Sequence, residues 1–454
     1  MSYGVILISV TIVWLISLYK YNFELLAPAS LFQLGIVTSC FLAVIGKESW
    51  NPVNEVSITT VQIIVIGCIA FAVGCYIATV LVKKLPYGKL KEPGAKSEAK
   101  LARAVRFEAA KYGIFYAIII FAIILRILET LQIAENLGLT TGNYFEATRL
   151  VRDETAVFNS AESIRLGVGF SFLERQMEKI AVALGYVSVY LLAVGFTKKH
   201  SLKEIVPSVG LLGLSGAFIL STGSRSTILF YVVAFIACYS LLSIKNGVSS
   251  RLVSLRVAIF GIIAAIIGSL AFYFMGGLVG RSTSSNIVRY VSFYFGSGVP
   301  ALQQLIEGGA LEMTVPGLRS FYYAFSLLYK LGIVDNFPGY SLGWINLGGL
   351  DCNVFTGFAR YYLDFGMVGV VILSMLAGLI LSLMYLIART TFSPTWILVV
   401  GYLTPRFFDM AREEFVFSRL LSSTQLVSIL IMVAILAFYY YEPRQGAAYL
   451  LRKK

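Results

Sequence analysis

An arginine flanked by hydroxyl side chains stands in a short polar segment, STGSRS, between two apolar runs of the sequence. The arginine is Arg225, and Ser224 precedes it. A phosphate group binds well to a forked guanidinium, to hydroxyls and to the free N–H groups of a tight turn, all of which this segment can supply. The sequence therefore predicts an anion-binding turn at Ser221–Ser226. The alternative is an ordinary polar turn whose arginine extends toward water.

A second candidate lies in LDCNVFTGFARYYLDFGMVG, which covers residues 350–369. Arg360 and Asp364 are four residues apart, so they share one helix face if the helix that follows extends back to them. Such a pair can consist of a carboxylate that orients an arginine, or of a carboxylate held ready to accept a proton. An ion pair that caps the end of the helix is the alternative.

The third candidate is the charged segment PRFFDMAREEFVFSR at residues 405–419, which begins with a helix-breaking proline. Its acids and arginines alternate with aromatic residues, which suit a partly buried site better than bulk water. A solvated charged loop is the alternative. Arg281 and Arg289, earlier in the chain, are individually weaker candidates. The charged residues of the segment are Arg406, Asp409, Arg412, Glu413, Glu414 and Arg419.

Residues for histidine or metal chemistry are scarce. The one histidine, His200, lies in a segment predicted to be cytoplasmic, and the five cysteines form no CxxC pair. The sequence contains no paired-carboxylate metal motif, P-loop, GxSxG or HExxH. We therefore expect no metal and no cofactor. Chemistry at a phosphate ester would rely on arginine, and charge-assisted hydrogen bonds of about 1.5–3 kcal/mol each would together lower the barrier appreciably.

These candidates are carried by a strongly apolar chain. Of its 454 residues 58% are hydrophobic, and about eleven apolar runs approach the length that crosses about 30 Å of hydrocarbon. The sequence predicts an all-α polytopic integral membrane protein, with residues 1–454 in one membrane domain. The predicted spans are Tyr3–Leu18, Leu25–Ile45, Thr59–Val82, Tyr112–Glu129, Ile180–Phe196, Ile205–Leu220, Thr227–Ile244, Val257–Met275, Met367–Ala388, Trp396–Phe408 and Leu420–Tyr441.

Basic residues predict the orientation of these spans. Residues 83–111 hold nine Lys or Arg against three acids, which predicts a cytoplasmic loop, a periplasmic N-terminus and a cytoplasmic C-terminus. Two periplasmic segments, 130–179 and 276–366, are too long for simple connections. Their short apolar stretches predict helices that lie at the membrane interface. Arg126, one turn from the outer end of its span, is expected to snorkel toward water.

Arginine is concentrated on the predicted outer side. That side carries 12 Arg and 3 Lys, whereas the cytoplasmic side carries 14 Lys and 7 Arg. The cytoplasmic excess reflects topology and contact with anionic lipid rather than nucleic-acid binding. An arginine-rich face suits planar anions such as phosphate, so the functional site is expected on the outer side.

The GSR turn before a span, the NVFT…RYYLDFG run and the Arg/Glu cluster before the last span resemble the O-antigen polymerase family, which are Wzy-type oligosaccharide repeat unit polymerases. The resemblance implies a GT-C-like fold in a bacterial inner membrane. It also implies metal-independent glycosyl transfer on the periplasmic face, with undecaprenyl-diphosphate-linked oligosaccharides as donor and acceptor. A chain-length regulator is a further candidate partner.

The resemblance also implies roles for the candidate residues. Arg225, Arg281 and Arg360 would bind the departing diphosphate, and Arg412 and Arg419 would position the second lipid diphosphate. A carboxylate would take the proton of the attacking sugar hydroxyl. The candidate bases are Asp364, Glu413 and Glu414. The further substrate contacts are Ser224, Arg289, Asn353 and Tyr361.

Two other classes of function stay open at this point. An O-antigen ligase shares the general architecture and the SR turn, but ligases usually have a histidine in the large loop, where this sequence has none. A polysaccharide-lipid flippase or other secondary transporter would carry ionisable groups near mid-span and often an inverted repeat. This chain keeps most of its outer charges at one boundary, which favours the polymerase.

Overall fold

The chain folds as a set of packed α-helices. A computed structural model describes residues 3–50, 55–84, 109–139, 142–155, 169–278, 286–308, 315–333, 342–420 and 422–440. Three predictions fall largely or wholly on residues outside these ranges. They are the basic segment 83–111, the role of Arg281 and the cytoplasmic C-terminal tail.

Fifteen α-helices follow one another through the described residues. They are α1 (Tyr3–Lys20), α2 (Pro28–Ile45), α3 (Ile58–Lys84), α4 (Ala109–Asn136), α5 (Tyr144–Thr155), α6 (Phe172–Thr197), α7 (Leu202–Ser221), α8 (Ser226–Lys245), α9 (Ser250–Leu278), α10 (Ile287–Gly296), α11 (Gly298–Glu307), α12 (Tyr322–Lys330), α13 (Phe358–Thr391), α14 (Pro394–Asp409) and α15 (Ser423–Tyr440).

Ten of the described helices are long and apolar enough to cross a membrane. The prediction of an all-α, multi-pass membrane protein is thereby confirmed, because in lipid a helix satisfies its backbone polar groups internally. The ten helices coincide with ten of the eleven predicted spans. The eleventh, Trp396–Phe408, lies in α14, whose 16 residues give a length of about 24 Å and fall short of a full crossing. Helix α14 also continues through Pro405 to Asp409, so the proline does not end it.

Short elements occupy the described parts of the two segments predicted to be long loops. Helix α5 lies in the first segment, and α10, α11 and α12 lie in the second. The second segment also forms an antiparallel hairpin of β1 (Ile345–Leu347) and β2 (Leu350–Cys352), which was not expected from the sequence. Gly348 and Gly349 join its strands, both with positive φ, a conformation that glycine adopts without strain.

Helix α13 bends near its N-terminal end. Gly366 has φ 60° and ψ −152°, a conformation that is essentially restricted to glycine, and it divides the helix into two parts. The short part, Phe358–Phe365, carries Arg360 and Asp364. The long part supplies the predicted span. We call this short part the charged arm. Because of the bend, its axis can differ in direction from that of the span.

Helices α3 and α13 pack with their backbones in close contact. A Cβ atom added at Gly74 would lie 1.9 Å from the carbonyl oxygen of Met375, and one at Gly378 would lie 2.2 Å from that of Phe71. Cys75 donates a hydrogen bond from its thiol to the Gly378 oxygen at 3.3 Å. Small residues permit such an approach, which replaces side-chain packing by contact between backbones. This pair positions the arm that carries Arg360.

We expect Gly378→Ala to destabilise the fold by about 1–3 kcal/mol, because the added methyl group must push α3 and α13 apart. The measurement is the thermal unfolding temperature of the purified protein in detergent. Gly261→Ala on α9 is the matched control, because no atom lies within 4 Å of its added Cβ. Equal unfolding temperatures for the two variants would contradict the close backbone packing.

The environment of Arg126 differs from the prediction. Its side chain does not snorkel to water but is buried, and it pairs with Glu174 of α6 at 2.8 Å. The guanidinium also lies 3.6 Å from the centre of the Phe170 ring. The prediction was wrong because Glu174 and Phe170, which lie more than forty residues along the chain, offset part of the cost of burying the guanidinium. Arg126 thus links α4 to the start of α6.

Candidate functional site

A cavity of about 180 Å³ lies between the residues that lead into α13 and the turn between α14 and α15. We call it the arginine cavity. Six residues singled out in the sequence line it together, although they belong to two separate segments. They are Asn353, Arg360, Arg412, Glu413, Glu414 and Arg419. The structure therefore joins the second and third candidate segments in one site.

Backbone contact holds the two segments together. The N–H of Gly357 donates to the carbonyl oxygen of Met410 at 2.9 Å, and a Cβ at Gly357 would lie only 3.0 Å from that oxygen. Behind the cavity wall, the hydroxyl of Tyr361 donates to Glu414 at 2.8 Å. Tyr361 is fully buried. Its position makes it part of the framework, one layer behind the cavity surface.

Arg360 and Asp364 share a helix face, as predicted, and both contact the loop before α12. Arg360 donates to the carbonyl oxygen of Arg319 at 3.2 Å. Asp364, only 2% exposed, accepts from the N–H of Ser320 at 2.6 Å and from the N–H of Arg319 at 3.4 Å. The guanidinium of Arg319 is 4.0 Å from the same carboxylate. Asp364 thus anchors a loop, and Arg360 reaches both this loop and the cavity.

The neighbouring glutamates Glu413 and Glu414 have opposite environments. Glu414 is 1% exposed and accepts hydrogen bonds from Tyr361 and from the backbone N–H groups of Phe417 and Ser418, the latter two at 2.9 and 2.6 Å. The side chain of Glu413 is 30% exposed and pairs with Arg419 at 2.7 Å. The accessible carboxylate on the arginine cavity is therefore that of Glu413.

Arg419 lies on a π-helical turn, Val416–Leu420, that begins two residues after Glu414. Such turns are uncommon and often occur at functional sites, because the extra residue changes the direction in which side chains point. The carboxylate of Glu414 binds the N–H groups at the start of this turn. The buried glutamate thereby positions the exposed ion pair between Glu413 and Arg419.

Arg412 is held by a ring and a carboxylate. Its guanidinium lies 4.3 Å from the centre of the Tyr294 ring and 3.3 Å from Asp409. Burial acts to lower the pKa of Arg412, but Tyr294, Asp409 and Glu413 outweigh it, so that the pKa is raised and the charge is retained. Its Nε has no hydrogen-bond partner among the described residues, and the same holds for the hydroxyl of Thr356 in the cavity wall. Buried donors without a partner are uncommon in folded proteins, so these two are the polar groups of the cavity wall that a small rearrangement could offer to an anion.

Arg225 lies apart from the arginine cavity but is connected to it through rings. It precedes α8, is buried, and donates to the carbonyl oxygen of Phe272 at 3.0 Å. Its guanidinium is 4.1 Å from the centre of the Phe272 ring, and that ring is 4.4 Å from the ring of Tyr294, on which Arg412 stacks. One Nη atom of Arg225 is buried without a partner in the described part of the chain. The hydroxyl of Ser224 lies 3.2 Å from that of Thr227.

Arg289 and Arg281 are the other two arginines predicted for the site. Arg289 donates to the carbonyl oxygen of Gly348 at 3.2 Å and so supports the tip of the β-hairpin. Arg281 lies outside the described residues. Sequence reasoning missed Arg319, whose segment reads only as an aromatic loop, and gave Arg406 and Asp409 no specific task. The signal for Arg406 and Asp409 was their place in the charged segment at residues 405–419.

The chemistry available at the arginine cavity is recognition of an anion beside a carboxylate. Arg360, Arg412 and Arg419 bring three guanidinium groups to a space with room for a phosphate-sized group, and Glu413 can accept a proton there. Among the residues that the structure describes, no group of three His, Cys, Asp or Glu side chains could hold a metal ion. Comparisons with protein-family models, with curated proteins and with solved structures give no match.

Proposed function

We propose that this protein is an O-antigen or polysaccharide polymerase of a bacterial inner membrane. It joins undecaprenyl-diphosphate-linked oligosaccharide repeat units on the periplasmic face. The observation that carries the proposal is the convergence of Arg360, Arg412 and Arg419 with Glu413 on the arginine cavity. A multi-pass helical chain with such a cavity suits substrates whose diphosphates are fixed to the membrane by a lipid. The proposed fold is GT-C-like, with the N-terminus periplasmic and the C-terminus cytoplasmic.

The proposed reaction is a glycosyl transfer from one lipid diphosphate to the sugar of another. The oxygen of an acceptor sugar hydroxyl attacks the anomeric carbon of the donor chain. The bond from that carbon to the diphosphate oxygen breaks, and its electron pair leaves with the diphosphate. Arg360 and Arg412 stabilise the negative charge that develops on this leaving group, because their positions are fixed before the reaction begins.

Glu413 is the proposed acceptor of the hydroxyl proton. Of the three carboxylates considered, Asp364 and Glu414 already accept hydrogen bonds from backbone N–H groups and are buried. The side chain of Glu413 is partly exposed and pairs with Arg419 at 2.7 Å. A diphosphate that draws Arg419 toward itself would weaken this ion pair and raise the basicity of the Glu413 carboxylate. Arg225 then supports the site indirectly, through the rings of Phe272 and Tyr294.

The test of the proposal is the banding of lipopolysaccharide or capsule on a gel from cells that lack the gene. We expect the ladder to collapse to a single-repeat band and to return when the intact gene is supplied. Long lipid-linked polymer with no glycan on the final acceptor would instead indicate a ligase. Single lipid-linked units trapped on the cytoplasmic face would indicate a flippase. Either of the last two patterns overturns the proposal.

A further inference from the structure

A second and larger cavity, of about 460 Å³, lies among four helices. Residues from the starts of α6, α8 and α15 and from the end of α14 line it. These helix ends belong to the predicted outer side, as does the arginine cavity. The candidate site described above does not include any of its lining residues. We call it the helix cavity.

The helix cavity is rich in positive charge. Arg175 and Lys179 of α6 and Arg406 of α14 line it, against one acidic residue, Glu178. The guanidinium of Arg406 is held in place, because it lies 4.4 Å from the centre of the Phe230 ring and pairs with Asp409 at 3.6 Å. A fixed guanidinium beside two further cations favours an anion over a neutral ligand.

The wall of the helix cavity also carries several uncharged polar side chains. The hydroxyl of Tyr402 donates to the side-chain oxygen of Gln425. Thr424 and Ser428 lie beside them on α15, and Thr227 faces them from α8. Some of these groups already have partners: the Ser428 hydroxyl donates to the Thr424 carbonyl oxygen at 2.8 Å, and that of Thr227 lies 3.2 Å from the Ser224 hydroxyl. Hydroxyl and amide groups can each form more than one hydrogen bond, so this wall suits the polar part of a ligand.

Asp409 links the two cavities. It pairs with Arg406, which lines the helix cavity, and with Arg412, which lines the arginine cavity, at 3.6 and 3.3 Å. One carboxylate thus holds an arginine on each side and separates the two positive sites. Two anions can therefore bind close together without sharing a guanidinium.

We propose that the helix cavity binds a second phosphate or diphosphate group, carried by a polyprenyl lipid, while the arginine cavity binds the first. Arg175, Lys179 and Arg406 bind the phosphate oxygens, and the hydroxyl and amide groups on α8, α14 and α15 contact the adjoining polar part of the ligand. The identity of the lipid rests on the proposed function. The existence of two separate anion sites rests on the two cavities alone.

The experiment is native mass spectrometry of the full chain in nanodiscs, with undecaprenyl diphosphate as the probe. We expect two bound molecules in the unmodified protein and one in the Arg175→Gln/Lys179→Gln variant, with the affinity of the lost site reduced by at least tenfold. The matched control is Lys198→Gln/Lys199→Gln, which removes two charges after the opposite end of α6 and should retain two bound molecules. Arg412→Gln should remove the other molecule instead.

Two further probes distinguish a lipid-linked diphosphate from a free one. Undecaprenol, which lacks phosphate, should bind at neither site, and inorganic pyrophosphate should compete with the lipid at both. Pyrophosphate that fills the helix cavity while the lipid does not would overturn the lipid assignment. A single bound lipid in the unmodified protein, or two in Arg175→Gln/Lys179→Gln, would overturn the second site. The gel assay tests polymerisation independently. If it contradicts the proposed function, the number of bound lipid molecules measured here is not affected.

Discussion

Replacing Arg412 by lysine is expected to reduce polymer formation about 100-fold or more, which is the usual cost of losing one fixed donor to a developing anion. Lysine keeps the positive charge and can still pair with Asp409. It loses the forked guanidinium, the unpartnered Nε donor and the stacking on Tyr294. The measurement is the rate at which the purified protein elongates lipid-linked repeat units in nanodiscs.

The control for this variant is Arg256→Lys, an exposed arginine on α9. It makes the same chemical change away from both cavities, and polymer formation should be unaffected. The unfolding temperature of Arg412→Lys should remain within a few degrees of that of the unmodified protein, because the charge pair is retained. Normal elongation by Arg412→Lys would mean that charge alone suffices and that the guanidinium geometry is irrelevant.

The helical spans could be predicted from the sequence because membrane thickness imposes a length on each of them. Ten runs in the described residues are indeed long helices. Helix α14 was the exception, since Trp396–Phe408 was expected to cross the membrane and the helix that contains it has only 16 residues. It also continues through Pro405, which was expected to break a helix. A proline in a helix of a membrane bundle can be tolerated when neighbouring groups compensate for the lost hydrogen bond, and nothing in the local sequence reveals those neighbours.

The candidate site was predictable only where its geometry is local. Arg360 and Asp364 are one helix turn apart, so their spacing was enough to predict that they share a helix face. The contacts of Asp364 with Ser320, and of Arg126 with Glu174, join residues that are far apart in the chain. No periodicity encodes such contacts. The same limit explains why the sequence identified both charged segments but not the cavity that they form together.

The second large effect is expected from the adjacent residues Glu413 and Glu414. The sequence does not distinguish them, whereas the structure exposes one carboxylate and buries the other. Glu414→Gln is expected to lower the free energy of unfolding by about 3 kcal/mol, since a buried carboxylate that accepts three hydrogen bonds is replaced by an amide with one acceptor oxygen. Glu413→Gln should leave the unfolding temperature nearly unchanged, because its side chain is partly exposed and its ion pair with Arg419 contributes little.

For polymer formation per folded molecule, the larger effect is expected from Glu413→Gln rather than from Glu414→Gln. Glu413→Gln is expected to be well folded but to elongate repeat units at least about 100-fold more slowly, because the amide cannot accept the hydroxyl proton. Glu414→Gln should lose polymer in proportion to the folded protein that remains. Both quantities are measured on the same preparations, as unfolding temperature and as elongation rate per folded molecule. A stable, inactive Glu414→Gln together with an active Glu413→Gln would move the base from Glu413 to its buried neighbour.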